Sequence, residues 1–244
     1  MMFEFIKNIM NNDDSTVVTN HINSVHRILK TDYTKDPKPN EDEIIFGCGC
    51  FWGAEKCFWK LPGVVTTSVG YAGGDKKKPT YYEVCSGLTG HSEVVRVIWD
   101  KNQIDISDLL KMFWECHDPT QKDRQGNDMG TQYRSAIYYK NEKHKNIILA
   151  SKEQYQKELN KNNLGLIETE IKLIDNYYYA EHYHQQYLAS PGSRQYCSAS
   201  PTKVKLGNFI GSNYKLKDFI WENFNWEVDK CVLRSDNNPI KVNN

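Results

Sequence analysis

The chain has 244 residues, enough for one large domain or two small ones. Hydrophobic residues make up 39% and charged residues 25%, the usual balance of a soluble globular protein. Thirty-one basic side chains balance thirty-one acidic ones, so no excess of charge predicts a nucleic acid or an anionic membrane surface as partner. No apolar run approaches the roughly 20 residues that span a bilayer, and residues 1–10 lack the apolar core of a secretory signal. We therefore expect a cytoplasmic protein.

Apolar spacing predicts alternating strands and helices after a polar N-terminal stretch. Residues 1–41 are polar and end in a proline-containing stretch, which predicts a flexible extension. In chain order, the predicted elements are strand 43–46, helix 53–60, strands 64–71 and 94–99, helix 106–116, strand 135–139, helix 141–161, strand 168–175 and helix 179–188.

The order of these elements predicts the fold class. Strand–helix–strand occurs twice in succession, as in the split βαβ sandwich of ferredoxin-like folds, so we expect an α+β fold with an added helix and strand. One domain would span residues 42–189. Residues 190–244 have turn residues and little periodicity, and we expect them to form an irregular tail that wraps around that domain.

The most informative run is Gly-Cys-Phe-Trp-Gly at residues 49–53. Cys50 follows a predicted strand and directly precedes a predicted helix. Backbone N–H groups and the dipole at a helix N-terminus favour a thiolate, so this position predicts a nucleophilic cysteine. Phe51 and Trp52 are large rings at a turn, which indicates the walls of a small apolar pocket beside the thiol. A buried structural cysteine remains the alternative at this point.

A carboxylate and a long loop add to this picture. Glu93 stands at the entrance of an apolar strand, where burial would raise the pKa of its carboxyl group and suit it to general acid catalysis. The polar loop at residues 118–131 is longer than a simple connection needs to be, which indicates a function.

Five runs occur together and in order, at residues 49–53, 79–87, 89–95, 126–135 and 183–188. Together they closely resemble the A-type peptide methionine sulfoxide reductases, over about three-fifths of the chain. The resemblance implies that Cys50 attacks the sulfoxide sulfur and that Glu93 protonates the oxygen. The resemblance also implies that the phenols of Tyr81 and Tyr133 hydrogen-bond the oxygen. It further implies that the rings of Phe51 and Trp52 hold the methyl group and that Asp128 is a polar binding residue. Without the resemblance, Tyr81 and Tyr133 would be interpreted as packing residues and Asp128 as a turn residue.

The resemblance also implies how the enzyme is recycled. After turnover Cys50 would be a sulfenic acid, Cys197 would resolve it to a disulfide, and thioredoxin would reduce that disulfide. Cys231 is a candidate second resolving cysteine or a packed residue, and Cys48 is expected to face away from Cys50. The family implies a monomer without bound cofactor or metal, acting on the S epimer of methionine sulfoxide in oxidised proteins and in the free amino acid.

Two other classes of protein remain as alternatives. A papain-like cysteine hydrolase would use Cys50 with His182 or His184, although its cysteine spacing differs from residues 48–52. A metal-binding module would use Cys48, Cys50 and a histidine, although structural zinc sites usually contain paired Cys-x₂₋₄-Cys motifs.

Overall fold

The structure is a computed structural model that describes residues 24–228 and 231–242, without the side chain of Cys231. Its strands in chain order are β1 (Glu41–Cys48), β2 (Val64–Ala72), β3 (Ser92–Asp100), β4 (Arg124–Gln125), β5 (Asp128–Met129), β6 (Ser135–Tyr139), β7 (Glu170–Leu173) and β8 (Tyr177–Tyr179). Six of them form one sheet in the order β7-β6-β1-β3-β2-β8, and β4 pairs with β5 in a separate ribbon. Neighbouring strands of the sheet are antiparallel except for the parallel pair β6 and β7.

The α-helices are α1 (Phe51–Trp59), α2 (Tyr81–Cys85), α3 (Ile106–Cys116), α4 (Lys145–Lys161), α5 (Asp218–Trp221) and α6 (Cys231–Arg234). Helix α3 begins at a capping box formed by Asp105 and Asp108. The main core lies between the sheet and helices α1 and α3, where Phe46 of β1 stacks on Phe58 and Phe113 at ring distances of 4.9 and 5.1 Å. The expected mixed α+β fold is therefore confirmed.

One local prediction needs correction. Residues 179–188 do not form a helix but two short 3-10 turns, His182–His184 and Tyr187–Ala189. The physical reason is the two glutamines between the turns, because Gln185 hydrogen-bonds the backbone of Val69 and Gln186 has a left-handed φ of 48° that no α-helix accommodates. Helix α2 and strand β8 were not predicted, and α2 starts at a capping box of Thr80 and Glu83.

Helix α1 has almost no solvent-exposed face, and Trp52 is its one residue that is not buried. The sheet covers one side, and the C-terminal segment covers the other. The ammonium group of Lys56 donates to the Ser235 carbonyl at 2.8 Å, and the Trp59 indole N–H donates to the Asn237 carbonyl at 3.0 Å. Helix α1 is thus held between the sheet and the C-terminal segment.

The N-terminal residues that the structure describes also lie against the sheet. Arg96 of β3 donates to the backbone carbonyls of Tyr33 and Lys35, and the Tyr33 ring is buried. Residues 1–23, which make up most of the predicted extension, lie outside the described residues. In the described residues, none of the helices has the length and apolar character needed to cross a bilayer.

Candidate active site

Cys50 is the N-cap of helix α1, in the turn that leads from β1 into the helix. The turn needs a positive φ of 87° at Gly49, a conformation that glycine adopts without strain. The backbone N–H of Trp52, in the first turn of the helix, favours the charged form of the Cys50 sulfur, and the Cys50 side chain forms no capping hydrogen bond. The thiol is half-buried, so this turn presents a partly accessible nucleophile at a helix N-terminus.

Glu93 lies beside this turn. It is the second residue of β3, only 2% exposed, and its Oε2 accepts the backbone N–H of Phe51 at 3.1 Å. Burial raises the pKa of the Glu93 carboxyl group to about 8, with smaller contributions from the charges of Asp128 and Glu181. At neutral pH the carboxyl group therefore keeps its proton, which is the state that a general acid requires.

The pKa of the Cys50 thiol is raised well above its usual value, and this corrects the expectation of a thiolate favoured by the helix. Burial is the main cause, and the carboxylates of Glu93 and Asp128 act in the same direction. The Trp52 N–H opposes them and does not outweigh them. The charge of Glu93 raises the pKa of Cys50, so the protonation of these two side chains is electrostatically coupled.

Tyr81 and Tyr133 bring two phenols to the same pocket. Tyr81 begins α2, where its backbone N–H donates to Glu181, and Tyr133 ends the 3-10 turn Thr131–Tyr133; each is 7% exposed. Burial, followed by the charge of Glu93, raises the pKa of both phenols, and the Cys50 charge also raises that of Tyr133. Both groups therefore remain hydrogen-bond donors at physiological pH.

Phe51 and Trp52 form an aromatic wall together with two residues from the 183–188 run. Phe51 is buried with its ring 5.1 Å from that of His184. The half-buried Trp52 stacks on Tyr187 at 3.8 Å, and its indole N–H donates to Nδ1 of His184 at 3.1 Å. This bond and the stacking fix the indole plane next to Cys50, as a preformed apolar pocket requires.

Asp128 is buried in β5, where both of its carboxylate oxygens are occupied by the C-terminal segment. Oδ1 accepts the Tyr196 hydroxyl at 2.6 Å, and Oδ2 accepts the Ser198 hydroxyl. These two donors flank Cys197, whose sulfur lies against Gly53 in the first turn of α1. The structure thus brings Cys197 to the helix that begins at Cys50.

The remaining cysteines are placed as follows. The Cys231 side chain, the candidate second resolving thiol, lies outside the described residues.

Cys48 is buried in the core. Within the described part of the chain it belongs to the one group with metal-ligand spacing, in which ligand atoms of Cys48, Cys116 and His117 lie within 4.8 Å of one another. Nδ1 of His117 bonds the Phe113 carbonyl and its Nε2 bonds the Ser135 hydroxyl, both at 2.7 Å, so neither nitrogen is available to a metal. Cys50 is not in this group, contrary to the metal-module alternative.

The hydrolase alternative needs a histidine that accepts the Cys50 proton. His184 instead uses Nδ1 as the acceptor for the Trp52 indole, so its proton is on Nε2, which has no hydrogen-bond partner among the described residues. Burial lowers the pKa of His184 to about 3. His184 therefore orients Trp52 and does not act as a base toward the thiol.

Sequence comparison places the chain among known proteins. A sequence model of the family described as "Peptide methionine sulfoxide reductase" matches residues 42–216. The chain belongs to this family. It is 52% identical over 183 residues to the peptide methionine sulfoxide reductase MsrA of Vibrio vulnificus, a match that covers 75% of this chain and 87% of that protein. It is 54% identical over 172 residues to the mitochondrial peptide methionine sulfoxide reductase of Bos taurus, covering 70% of this chain and 73% of that protein.

Solved structures of the peptide methionine sulfoxide reductase family have the same fold. Methionine sulfoxide reductase A of Corynebacterium diphtheriae superposes with a TM-score of 0.64 at 43% identity, covering 75% of this chain and 89% of the other. Mxr1 of Saccharomyces cerevisiae in its reduced form superposes with a TM-score of 0.60 at 32% identity, covering 72% of this chain and 97% of the other. The predicted resemblance to the A-type reductases is confirmed.

Sequence reasoning missed several residues that support the reductase site. His184 and Tyr187 lie in the run at 183–188, which contributed to the family resemblance, and neither residue was given a role in the reductase site. Glu181 accepts both the Tyr81 backbone N–H at 2.9 Å and the Tyr71 hydroxyl at 2.8 Å, and nothing in the local pattern indicates this. Tyr196 adjoins Cys197, and this proximity was the available signal for its contact with Asp128.

Glu55, in the middle of helix α1, is a buried carboxylate that braces this aromatic wall. It is fully buried, and its oxygens accept the Thr67 hydroxyl at 3.0 Å and the backbone and side-chain N–H groups of Gln186 at 2.8 and 2.9 Å. Gln186 directly precedes Tyr187, the stacking partner of Trp52. Burial raises the pKa of Glu55 to about 7.

We expect Glu55→Leu to lower the free energy of unfolding by about 3 kcal/mol, because it leaves three buried donors without an acceptor. The folded-state pKa of Glu55 lies above its usual value, so its stabilising contribution is complete below that usual value and is lost as pH rises through about 7. The loss caused by the substitution should therefore be larger at about pH 5 than at about pH 8. Urea denaturation at both pH values measures the change in the free energy of unfolding, with a substitution of an exposed residue, Glu168→Leu, as control. A loss no larger than that of the control would contradict this role.

Proposed function

We propose that the chain reduces methionine S-sulfoxide to methionine, using Cys50 as nucleophile and Glu93 as acid. The observation that carries this proposal is the bond from the Phe51 backbone N–H to Glu93. This bond holds the Glu93 carboxyl group, which is protonated at neutral pH, beside Phe51, the residue that follows Cys50. A sulfoxide oxygen is a poor leaving group until it is protonated, so the reaction needs this pairing.

The first step forms a bond to the Cys50 sulfur and breaks the sulfoxide bond. The Cys50 sulfur attacks the sulfoxide sulfur, Glu93 transfers its proton to the oxygen, and the proton of the Cys50 thiol passes to the Glu93 carboxylate. The resulting intermediate contains a sulfur–sulfur bond and a hydroxyl group on the substrate sulfur. The hydroxyl group then moves to the Cys50 sulfur as the sulfur–sulfur bond breaks, so methionine leaves and Cys50 carries the oxygen as a sulfenic acid. Cysteine is thereby oxidised by two electrons and the sulfoxide is reduced by two, so no other redox group is required.

The remaining pocket residues bind and orient the substrate. Tyr81 and Tyr133 keep their protons and donate to the oxygen as negative charge develops on it, in the manner of an oxyanion hole. Phe51 and Trp52 receive the methyl group of the substrate. Asp128 binds polar groups around the sulfoxide, and for this it exchanges its bonds with Tyr196 and Ser198 for bonds to the substrate.

Resolution then requires a second thiol. Cys197 attacks the Cys50 sulfenic acid, a disulfide forms and water leaves, so the bound oxygen departs with two protons. Thioredoxin, as external reductant, returns both cysteines to thiols by exchange. Cys231 is a second candidate for this relay, because Val232 and Leu233, the residues after it, line the same cavity as Cys197.

The finer features of the proposal concern substrate and compartment. We infer that oxidised proteins and free methionine sulfoxide are both substrates, that the enzyme is a monomer without a bound cofactor, and that it works in the cytoplasm.

We also infer the domain arrangement. Residues 42–189 make up the catalytic body, and residues 190–244 carry the resolving cysteine around it. The strand order β6-β1-β3-β2, joined through α1 and α3, supports a ferredoxin-like split βαβ core, to which α4 and β7 are added.

The test is an epimer-resolved assay. The purified chain is incubated with a peptide that contains both sulfoxide epimers of methionine, with dithiothreitol as reductant, and each epimer is followed by chromatography. We expect consumption of the S epimer alone. Persistence of both epimers in the presence of folded protein would refute the proposed function.

A further inference from the structure

The first turn of helix α1 contains a notch that is occupied by the resolving cysteine. Gly53 is buried there, and a Cβ atom added to it would lie 2.5 Å from the Cys197 sulfur and 3.2 Å from the Cys197 Cβ. The three atoms nearest to that added Cβ all belong to Cys197. The absence of a side chain at residue 53 therefore makes room for one neighbour, the sulfur proposed to attack Cys50.

The loop at residues 118–130 also binds this segment. Asp128 accepts the hydroxyl groups of Tyr196 and Ser198, which flank Cys197. Gln125 accepts the backbone N–H of Ser200 at 3.1 Å. The segment is thus attached just before and after Cys197, while its sulfur rests in the notch.

We propose that Gly53 is a positioning residue for the resolving step: its missing side chain sets the Cys197 sulfur beside Cys50, while Asp128 holds the flanking residues. This inference rests on the proposed function and adds a role that is separate from substrate reduction. It also gives Asp128 a second task, since substrate and the Cys197 segment use the same carboxylate. The segment docks fully once methionine has left.

Gly53→Ala is a clean probe of this role. Alanine has a higher helix propensity than glycine, and residue 53 is helical, so the backbone tolerates the substitution. The added methyl group meets the end of the Cys197 side chain, which rotates away at little cost. A cavity of about 160 Å³ beside it, lined by Ala54 and Cys57, gives the sulfur space further along the helix, away from Cys50.

The experiment separates reduction from resolution in a single turnover. Wild type, Gly53→Ala and Cys197→Ser are mixed with excess sulfoxide peptide without reductant. Released methionine is measured by chromatography, and the Cys50 sulfenic acid and the disulfide are measured by dimedone trapping and peptide mass spectrometry. Gly207→Ala is the matched control, because its added Cβ would touch only the Gln154 amide at 3.4 Å.

We expect Gly53→Ala to release one methionine per chain at the wild-type rate and to form the disulfide on the order of 10²-fold more slowly, since a small misplacement of a reacting atom has an effect of this size. Sulfenic acid should accumulate in it, as in Cys197→Ser. Disulfide formation at the wild-type rate, or slowed methionine release, would overturn the assignment. If wild type itself releases no methionine, the proposed function fails first, and this inference fails with it.

A second variant keeps the test decisive if Gly53→Ala lowers the midpoint of thermal unfolding. Tyr196→Phe combined with Ser198→Ala removes both bonds to Asp128 without adding volume. It should slow disulfide formation and leave methionine release intact. Unchanged disulfide formation in this double variant would contradict the role of Asp128 in docking the segment.

Discussion

Cys50→Ser is expected to abolish reduction of methionine sulfoxide, leaving only the uncatalysed rate. The hydroxyl group of serine is far less nucleophilic than a thiolate, and its oxygen forms no sulfenic acid, so the oxygen atom of the substrate has no acceptor. The fold should persist, because Cys50 is the N-cap of helix α1 and serine is a good N-cap of similar size.

The matched control for Cys50→Ser is Cys85→Ser, a second half-buried cysteine near Tyr81 that has no role in the proposed chemistry. We expect it to keep the consumption of the S epimer. Circular dichroism of both variants verifies that each is folded. Activity that survives in Cys50→Ser but not in Cys85→Ser would show that Cys85, and not Cys50, is the nucleophile.

Glu93→Gln is expected to lower the single-turnover rate by about 10²- to 10⁴-fold, the usual contribution of general acid catalysis. The amide still accepts the Phe51 N–H, so the geometry of the turn is kept while the transferable proton is lost. In wild type the rate should fall as pH rises through about 8, because burial and the nearby carboxylates place the pKa of Glu93 there. Above that pH the Glu93 charge also raises the pKa of Cys50, so both effects reduce the rate.

A neighbouring carboxylate provides the control for the pH profile. The charge of Glu181 contributes to the raised pKa of Glu93, so Glu181→Gln should move the fall in rate to lower pH and leave the rate below it largely intact. Stopped-flow or quench measurements of methionine release across the pH range test this. If the fall in rate with rising pH persists unchanged in Glu93→Gln, the titrating group is not Glu93.

The chemistry of single positions could be predicted from the sequence because it depends on neighbours along the chain. The run around Cys50 contains a strand, a turn and a helix start within a few residues, and the structure has all three. Glu93 was expected to be buried in an apolar strand, and the structure buries it. Most strands and long helices were predicted for the same reason, since periodicity is local.

The partners of those residues depend on contacts between distant parts of the chain. Glu93 meets Phe51 across 42 residues, and Trp52 meets His184 across 132. The direction of the Cys50 pKa shift also depends on residues that are distant from Cys50 in the chain. A helix N-terminus predicts a lowered pKa, whereas burial and the convergence of Glu93 and Asp128 raise it.

What the sequence by itself determined is the family and the local setting of the two proposed reacting groups, a cysteine at a strand-to-helix turn and a carboxyl group in an apolar strand. Only the tertiary structure decided that Gly53 receives the Cys197 sulfur, that Asp128 holds the residues beside Cys197 and that Glu55 braces the aromatic wall. The physical reason is that an empty space, a shared carboxylate or a buried carboxyl group is defined by atoms that packing brings together from distant parts of the chain. Local periodicity depends only on neighbours in the sequence and does not predict such contacts.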